Sequence, residues 1–133
     1  MLGVFKMQNL KLEATSTSPE VDFQFSEHRL ALRGESYPEN AAAFFGPIVE
    51  ALNGYLEQTQ NQVIEVIIEL TYFNSSSTKV LFNVFNMLNF AAASNTINLH
   101  WRYDEDDDTI LEFGDDLHED FPDINYIPES FAS

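Results

Sequence analysis

Val63-Ile64-Glu65-Val66-Ile67-Ile68-Glu69-Leu70 runs directly into Thr71-Tyr72-Phe73-Asn74-Ser75-Ser76-Ser77-Thr78-Lys79. In the first stretch Ile64, Val66, Ile68 and Leu70 share one face at the period-two spacing of a strand, and that face is wholly apolar. Val63, Glu65, Ile67 and Glu69 form the opposite face, which mixes charge with Val and Ile as a half-covered face would. From Ser77 to Ala93 the period changes. Val80, Leu81, Val84, Phe85 and Leu88 fall 1-3-1-3 apart, a helical stripe, and Asn95 suits its end because Asn tolerates left-handed backbone. Alternation resumes over Ile97–Tyr103, with Ile97, Leu99, Trp101 and Tyr103 set against Asn98, His100 and Arg102. Strand, helix and strand in that order imply parallel strands joined by a crossover.

Toward the N-terminus, Ser36-Tyr37-Pro38-Glu39 reads as a helix start, with Ser36 as cap, Pro38 in the first turn and Glu39 closing a capping box. Ala42, Phe45, Val49, Leu52 and Leu56 follow at 3-4-3-4 spacing, and Gly46-Pro47 inside that stripe predicts a kink. Before it, Val21–Phe25 and Leu30–Leu32 alternate across a polar turn at Ser26–His28, and Leu10–Ala14 suggests an edge strand. Toward the C-terminus, Asp104–Asp123 holds eleven of the 22 carboxylates and no Lys or Arg. Ile110, Phe113, Gly114, Leu117 and Phe121 still fall at 3-1-3-4 spacing, so residues 104–123 read as an acidic loop and an amphipathic helix. Asn125–Ile127 predicts a short last strand. The order is α/β with a largely parallel centre, in one domain over 1–133 whose residues 1–9 are a loose tail and whose Met7 offers an alternative start.

At 133 residues and 44% hydrophobic, with twelve Phe, the chain is long and apolar enough for one core. Six Lys+Arg against 22 Asp+Glu leave a formal charge of −16, which argues against nucleic acid and against anionic lipid, since both need cations to displace counterions or meet headgroups. The absence of cysteine excludes disulfides, zinc thiolates, iron–sulfur clusters and a Cys nucleophile. Met1–Lys11 lacks the apolar core of a signal peptide, and no apolar run reaches the roughly 18 residues of a membrane span, so the expectation is a soluble, cytoplasmic protein.

Positive signs of catalysis are few. A calcium loop beginning at Asp104 would need Gly at position 6 and Glu at position 12 but finds Thr109 and Asp115, so the acidic run reads as a solvated loop and helix N-terminal charge. His28, His100 and His118 are scattered and read as ordinary surface or sheet histidines. No nucleophile elbow, Walker loop or Gly-rich dinucleotide loop is present, so no cofactor or metal is expected and an enzyme is the weaker class. The unusual stretch is Asn74–Lys79. One hydroxyl is enough to cap a helix, and four in a row is an excess. A phosphoacceptor is the functional reading, because free N–H groups and the positive helix end stabilise a phosphate there and Lys79 lies in the first turn to pair with it. Composition alone leaves capping and phosphorylation both open.

Three blocks resemble those of the SiaC family of bacterial regulatory phosphoproteins: Glu35-Ser36-Tyr37-Pro38-Glu39-Asn40, Tyr72-Phe73-Asn74-Ser75-Ser76-Ser77-Thr78-Lys79, and Trp101-Arg102-Tyr103-Asp104 followed by Asp106-Asp107-Asp108. Their order and spacing match over roughly residues 10 to 125. The resemblance implies a fold like that of anti-sigma-factor antagonist (STAS) domains, a mixed sheet with helices mainly on one side. It also implies a non-enzymatic partner-switching role. By that resemblance, a dedicated protein kinase would phosphorylate the hydroxyl residue after the Asn, a PP2C-type phosphatase would remove the phosphate, and the unmodified form would bind and activate a diguanylate cyclase.

On this chain the resemblance assigns the phosphoacceptor to Ser75, where the family pattern usually has Thr. Serine keeps the nucleophilic hydroxyl and lacks only the methyl. Ser76 and Ser77 would then cap the helix, Tyr72, Phe73 and Lys79 would flank the switch, and Tyr37 and Glu39 would lie on a partner surface. Two competing readings are an anti-sigma-factor antagonist that binds an anti-sigma kinase, and an acidic decoy for a basic protein that rests on charge alone.

Overall fold

The computed structural model describes residues 8–132, so the alternative start at Met7 and most of the expected tail lie outside the described residues. Among the described residues six strands and three α-helices follow in chain order, with a 3-10 turn at Phe25–Glu27 between the second and third strands: β1 (Leu10–Leu12), β2 (Glu20–Gln24), β3 (Arg29–Ser36), α1 (Ala41–Glu57), β4 (Val63–Phe73), α2 (Ser75–Ala91), β5 (Thr96–Asp104), α3 (Asp108–Asp120) and β6 (Asn125–Phe131). One six-stranded sheet contains every strand, in sequence order. β1, β2 and β3 pair antiparallel, then β3–β4, β4–β5 and β5–β6 pair parallel. The fold is mixed α/β.

Three crossovers step across the sheet in one direction, and the right-handed rule places all three helices over the same face. Burial follows from this. Leu30, Leu32, Ile64, Val66, Ile68, Leu70, Ile97, Leu99 and Trp101 are all buried beneath the helices. The opposite face carries Arg29, Arg33, Glu65, Glu69, His100, Arg102 and Glu129, all at least partly exposed; His100 pairs with Glu65 and Glu129, Arg102 with Glu69 and Glu129, and Arg33 with Glu20 of β2. The mixed character of the Val63–Glu69 face is this open, charged side of the sheet.

Several boundaries differ from expectation. Ser36 is not a helix cap: it is the last residue of β3, buried and in register with Phe73. β4 runs on to Phe73 and supplies Glu35 and Ser36 with a parallel neighbour, so the strand continues, and Pro38 then holds Tyr37 away from helical backbone. The strand passes a register shift at Gly34, whose φ of +116° suits only glycine. The cap of α1 is Asn40, whose Oδ1 accepts from the Ala43 N–H at 3.0 Å, so Pro38 and Glu39 precede the helix and no capping box forms. Within α1 the buried set is Phe45, Ile48, Leu52, Tyr55 and Leu56, with Ala42 exposed, and Pro47 does not interrupt the helix.

α2 begins two residues earlier than its apolar stripe suggests and ends at Ala91 rather than Ala93. Asn95 does close this end, but through its side chain rather than a left-handed backbone. Its Nδ2 donates to Ala91 O at 3.1 Å and Thr59 O at 2.9 Å, while Oδ1 accepts from Gln62 N–H at 3.1 Å. One amide thus ties the end of α2 to the start of β4. The last strand is longer than expected, running to Phe131.

Candidate functional site at the strand-to-helix turns

All three sequence blocks fall at the same edge of the sheet, where β3, β4 and β5 pass into α1, α2 and α3. Each block supplies the Asx residue that caps the helix after it: Asn40, Asn74 and Asp107, each accepting from the N–H three residues on. In parallel strand–helix units the strand C-termini and helix N-termini share one edge, and the positive ends of the helix dipoles gather there.

The first two turns are bonded to each other. Ser36 and Ser77 are buried with their hydroxyl oxygens 2.7 Å apart. Ser36 O accepts from Ser77 Oγ at 2.9 Å and from the Asn74 N–H at 3.1 Å. Asn74 Oδ1 accepts from the Ser77 N–H at 3.0 Å, and Asn74 O accepts from Thr78 Oγ at 3.1 Å. The cap is therefore Asn74, and Ser76 and Ser77 do not cap α2. Asn74 wins because its longer side chain reaches the third N–H from outside the helix, whereas Ser77 already lies within the first turn.

These bonds separate the four hydroxyls. Ser77 and Thr78 are engaged in holding the turn. Ser75 and Ser76 are exposed and make no side-chain hydrogen bond among the described residues. No imidazole or carboxylate among the described residues bonds to either, so neither hydroxyl is activated within the chain. What the arrangement offers is an accessible acceptor oxygen beside helix N–H groups that the helix leaves unpaired.

Around this turn, Tyr37 and Tyr72 meet edge to face with ring centres 5.6 Å apart, and both are exposed, at 36% and 51%. Phe73 turns inward onto Phe113 of α3 at 5.0 Å, and Phe113 stacks on Trp101 at 6.2 Å, joining the second block to the third. Lys79 is exposed on the next turn of α2 and forms no ion pair among the described residues. It shares with Glu39, Asn40, Ala42 and Ser76 an open cleft of about 770 Å³ between the starts of α1 and α2. The structure thus gathers Tyr37, Glu39, Tyr72, Ser76 and Lys79 at the edge where Ser75 lies.

The chain of residues 12–129 matches the family described as "SiaC family regulatory phosphoprotein". This chain belongs to the SiaC family. An uncharacterised protein of Pseudomonas aeruginosa strain UCBPP-PA14 is 28% identical over 115 residues, covering 86% of this chain and 90% of that protein. SiaC of P. aeruginosa superposes with a TM-score of 0.82 at 25% identity, over 94% of this chain and all of that one. A crystal structure of the diguanylate cyclase SiaD in complex with its activator SiaC, also from P. aeruginosa, contains a chain that matches with a TM-score of 0.83 at 25% identity, over 92% of this chain and 99% of that one.

The histidines of this SiaC-family chain lie elsewhere. His28 Nδ1 meets the Tyr55 hydroxyl at 2.5 Å beneath α1, and burial pushes that hydroxyl up to about 12. His118 stacks on Tyr126 at 5.0 Å. His100 lies on the open sheet face between Glu65 Oε1 at 2.8 Å and Glu129 Oε2 at 3.1 Å. Burial works against its charge, but the bonds to the two carboxylates outweigh burial and raise its pKa. No group of three or more His, Asp or Glu among the described residues is placed to hold a metal ion.

What sequence reasoning missed was the Ser36–Ser77 pair and the Asn caps. A signal existed for the caps: Asn40 stands immediately before Ala41-Ala42-Ala43, and Asn74 immediately before the hydroxyl run. The serine pair had none, because its members are 41 residues apart.

Proposed function

We propose that this chain is a non-enzymatic, phosphorylation-controlled switch, that Ser75 carries the phosphate, and that the unphosphorylated form binds and activates a diguanylate cyclase. A protein kinase transfers the γ-phosphoryl group of ATP to Ser75 Oγ: the new O–P bond forms as the bond to ADP breaks, and the hydroxyl proton leaves to the kinase. A PP2C-type phosphatase reverses this with water and releases inorganic phosphate. The observation that carries the reading is the exposed, unbonded hydroxyl of Ser75 at the first position of α2, directly after its Asn74 cap. Family membership and the activator role of P. aeruginosa SiaC toward SiaD support the partner.

The physical logic is a difference between two environments. In the free protein, a phosphate of about −1.5 to −2 charges at Ser75 meets the helix N-terminus, and Lys79 is one turn away. In a complex that covers Ser75 the same dianion must be desolvated, which costs several kcal/mol when unpaired. Each 1.4 kcal/mol is tenfold in affinity, so phosphorylation should weaken the complex by at least about a hundredfold without unfolding the chain.

The test incubates the protein with its kinase and ATP, locates the phosphate by fragment mass spectrometry, and titrates four forms against the purified cyclase. The phosphoprotein should lose binding, Ser75→Asp should lose part of it, and Ser75→Ala should bind like the unmodified chain. A phosphate found on Ser76, or equal affinity across the four forms, would overturn the reading.

A further inference from the structure

The helices cover one face of the sheet, and the other face is where the chain keeps its cations. Lys11, Arg29, Arg33 and Arg102 lie there, four of the five Lys and Arg among the described residues, and the fifth is Lys79 of α2. In a chain of −16 they stand beside Glu20, Glu65, Glu69 and Glu129, so the middle of this face is close to charge balance. The two signs also occur in a regular order. Strand register sets Glu20, Arg33 and Glu69 side by side on β2, β3 and β4, and Arg102 beside Glu129 on β5 and β6. Lys11 of β1 reaches Glu20 at 3.1 Å, and Arg102 bonds Glu69. Across the six strands the row is Lys11, Glu20, Arg33, Glu69, Arg102 and Glu129, and the sign changes at every step.

An alternating row with an even number of members carries opposite signs at mirror positions. A two-fold axis along the strands, above the gap between β3 and β4, lays β3 over β4 of a second copy, β2 over β5 and β1 over β6. Arg33 then meets the partner's Glu69, Glu20 the partner's Arg102, and Lys11 the partner's Glu129. The next two rows match as well. Ala31 and the half-buried Ile67 are in register, so they meet as an apolar pair across the axis, with Asp22 opposite His100. In the row after that, Arg29 falls opposite Glu65. The pairs within one chain leave these groups free to bond again, because a guanidinium has N–H donors to spare and a carboxylate more acceptor positions than one partner uses.

We infer that the open sheet face is a self-association surface, and that its occupant is a second copy of this chain, related by a two-fold axis parallel to the strands. Two sheets pack about 10 Å apart with their strands nearly aligned, as this axis requires. Six strands about 4.8 Å apart make a face roughly 29 Å wide, which over about 20 Å of strand offers roughly 600 Å² per copy. Both copies together reach about 1,200 Å², the lower end for stable association, so the dimer is a weak one. Net charge favours this face over the rest. Two chains of −16 repel wherever carboxylates dominate, above all at α3, and here the cations of each copy meet carboxylates of the other. The helices then lie on the outside with both Ser75 turns in solvent, so the inference stands apart from the reading of Ser75 as the switch.

The experiment follows the mass of the full-length chain by sedimentation and light scattering from low to high micromolar concentration. Wild type should move from monomer to dimer, and Ser75→Asp should do the same. Arg33→Glu and Glu69→Arg should each weaken the dimer at least about tenfold, because the two central contacts become like-charged. An equimolar mixture of those two variants should recover the dimer, since every central contact in a mixed dimer again joins opposite signs. Pairing within one chain cannot produce that recovery. Melting temperatures establish that each variant folds, and Lys11→Glu with Glu129→Lys repeats the test at the outermost contact should an inner variant fail. Wild type that stays monomeric at high micromolar concentration would overturn the proposal. So would a dimer that survives both single variants, or single variants that do not recombine when mixed. A dimer lost in Ser75→Asp would place the contact on the helix side and likewise overturn it.

Discussion

Ser36 and Ser77 bring two buried hydroxyl oxygens within 2.7 Å across 41 residues of sequence, and with Ser36 O they join the end of β3 to the first turn of α2. The two serines are not equivalent. Ser77 can still donate to Ser36 O when the Ser36 hydroxyl is gone, whereas Ser36 Oγ loses its partner when Ser77 is truncated. We expect Ser77→Ala to cost about 1–3 kcal/mol, Ser36→Ala less, and the double variant less than the sum, because it leaves no orphaned hydroxyl. Urea unfolding of the three variants measures this directly.

The caps and the exposed serines divide stability from signalling. Asn74→Ala removes the acceptor for the Ser77 N–H and should destabilise by about 1 kcal/mol. Ser75→Asp changes an unbonded, exposed side chain at a helix start and should shift stability by no more than about 0.5 kcal/mol. A large drop in the melting temperature of Ser75→Asp would mean that the Ser75 hydroxyl holds the turn together rather than waiting for modification.

Gly114 of α3 is packed directly against the side chains below it. A Cβ there would lie 2.5 Å from both Trp101 Nε1 and Tyr126 Oη. Trp101 cannot retreat without giving up its bond to Ile110 O at 2.9 Å, and it is itself 1% exposed. Gly114→Ala should therefore cost about 1–3 kcal/mol by overpacking. Trp101 is the single tryptophan, so its fluorescence maximum should move together with the loss of stability.

The open face of the sheet predicts a pH dependence. Facing His100 are Arg29 and Arg33 of β3, Glu65 and Glu69 of β4, Arg102 of β5 and Glu129 of β6. Both ring nitrogens bond to carboxylates, which only the imidazolium can do as a donor at each. A folded pKa above its ordinary 6.5 means that the stabilisation is fully present below 6.5 and is lost as pH rises through the folded value. Glu65 works in the other direction: burial opposes its charge, but the bonds from Asn98 and His100 outweigh burial, lowering its pKa from 4.5, so its contribution fades only in more acid solution. Melting curves from pH 5 to 9 should show His100→Gln destabilised at the acid end of that range and close to wild type at the alkaline end. A constant difference across the range would show that His100 contributes packing and no charge.

Much of the architecture is legible in the sequence. The alternation at Val63–Leu70 and Ile97–Tyr103 and the stripes around Leu81 and Leu117 are local repeats, and a repeat reports which side of its own element is apolar. Of the residues the pattern marks, Ile64, Val66, Ile68, Leu70, Leu81, Val84, Phe85 and Leu88 are buried and Val80 is half-buried. The element ends were less legible. Ser36 reads as a cap because Ser, Pro and Glu at that spacing start helices in isolation, yet its neighbour on β4 kept it in the strand. In α1 the buried residue is Ile48, where the stripe marked Val49, which is half-buried.

By itself the sequence determined the α/β class, the parallel centre, the acidic balance and the hydroxyl run at one helix start, because each depends on residues adjacent in the chain. Only the tertiary structure decided which hydroxyls are engaged. Ser77 and Thr78 are consumed by partners in the turn and in β3, and Ser75 and Ser76 are left in solvent. It also decided that the three blocks share one edge, and that α2 turns a face without carboxylates outward while α3 carries six. Those outcomes depend on which surfaces the crossovers bring together. A side chain's hydrogen-bond partner or solvent exposure belongs to the packed molecule, and no local pattern of residues encodes it.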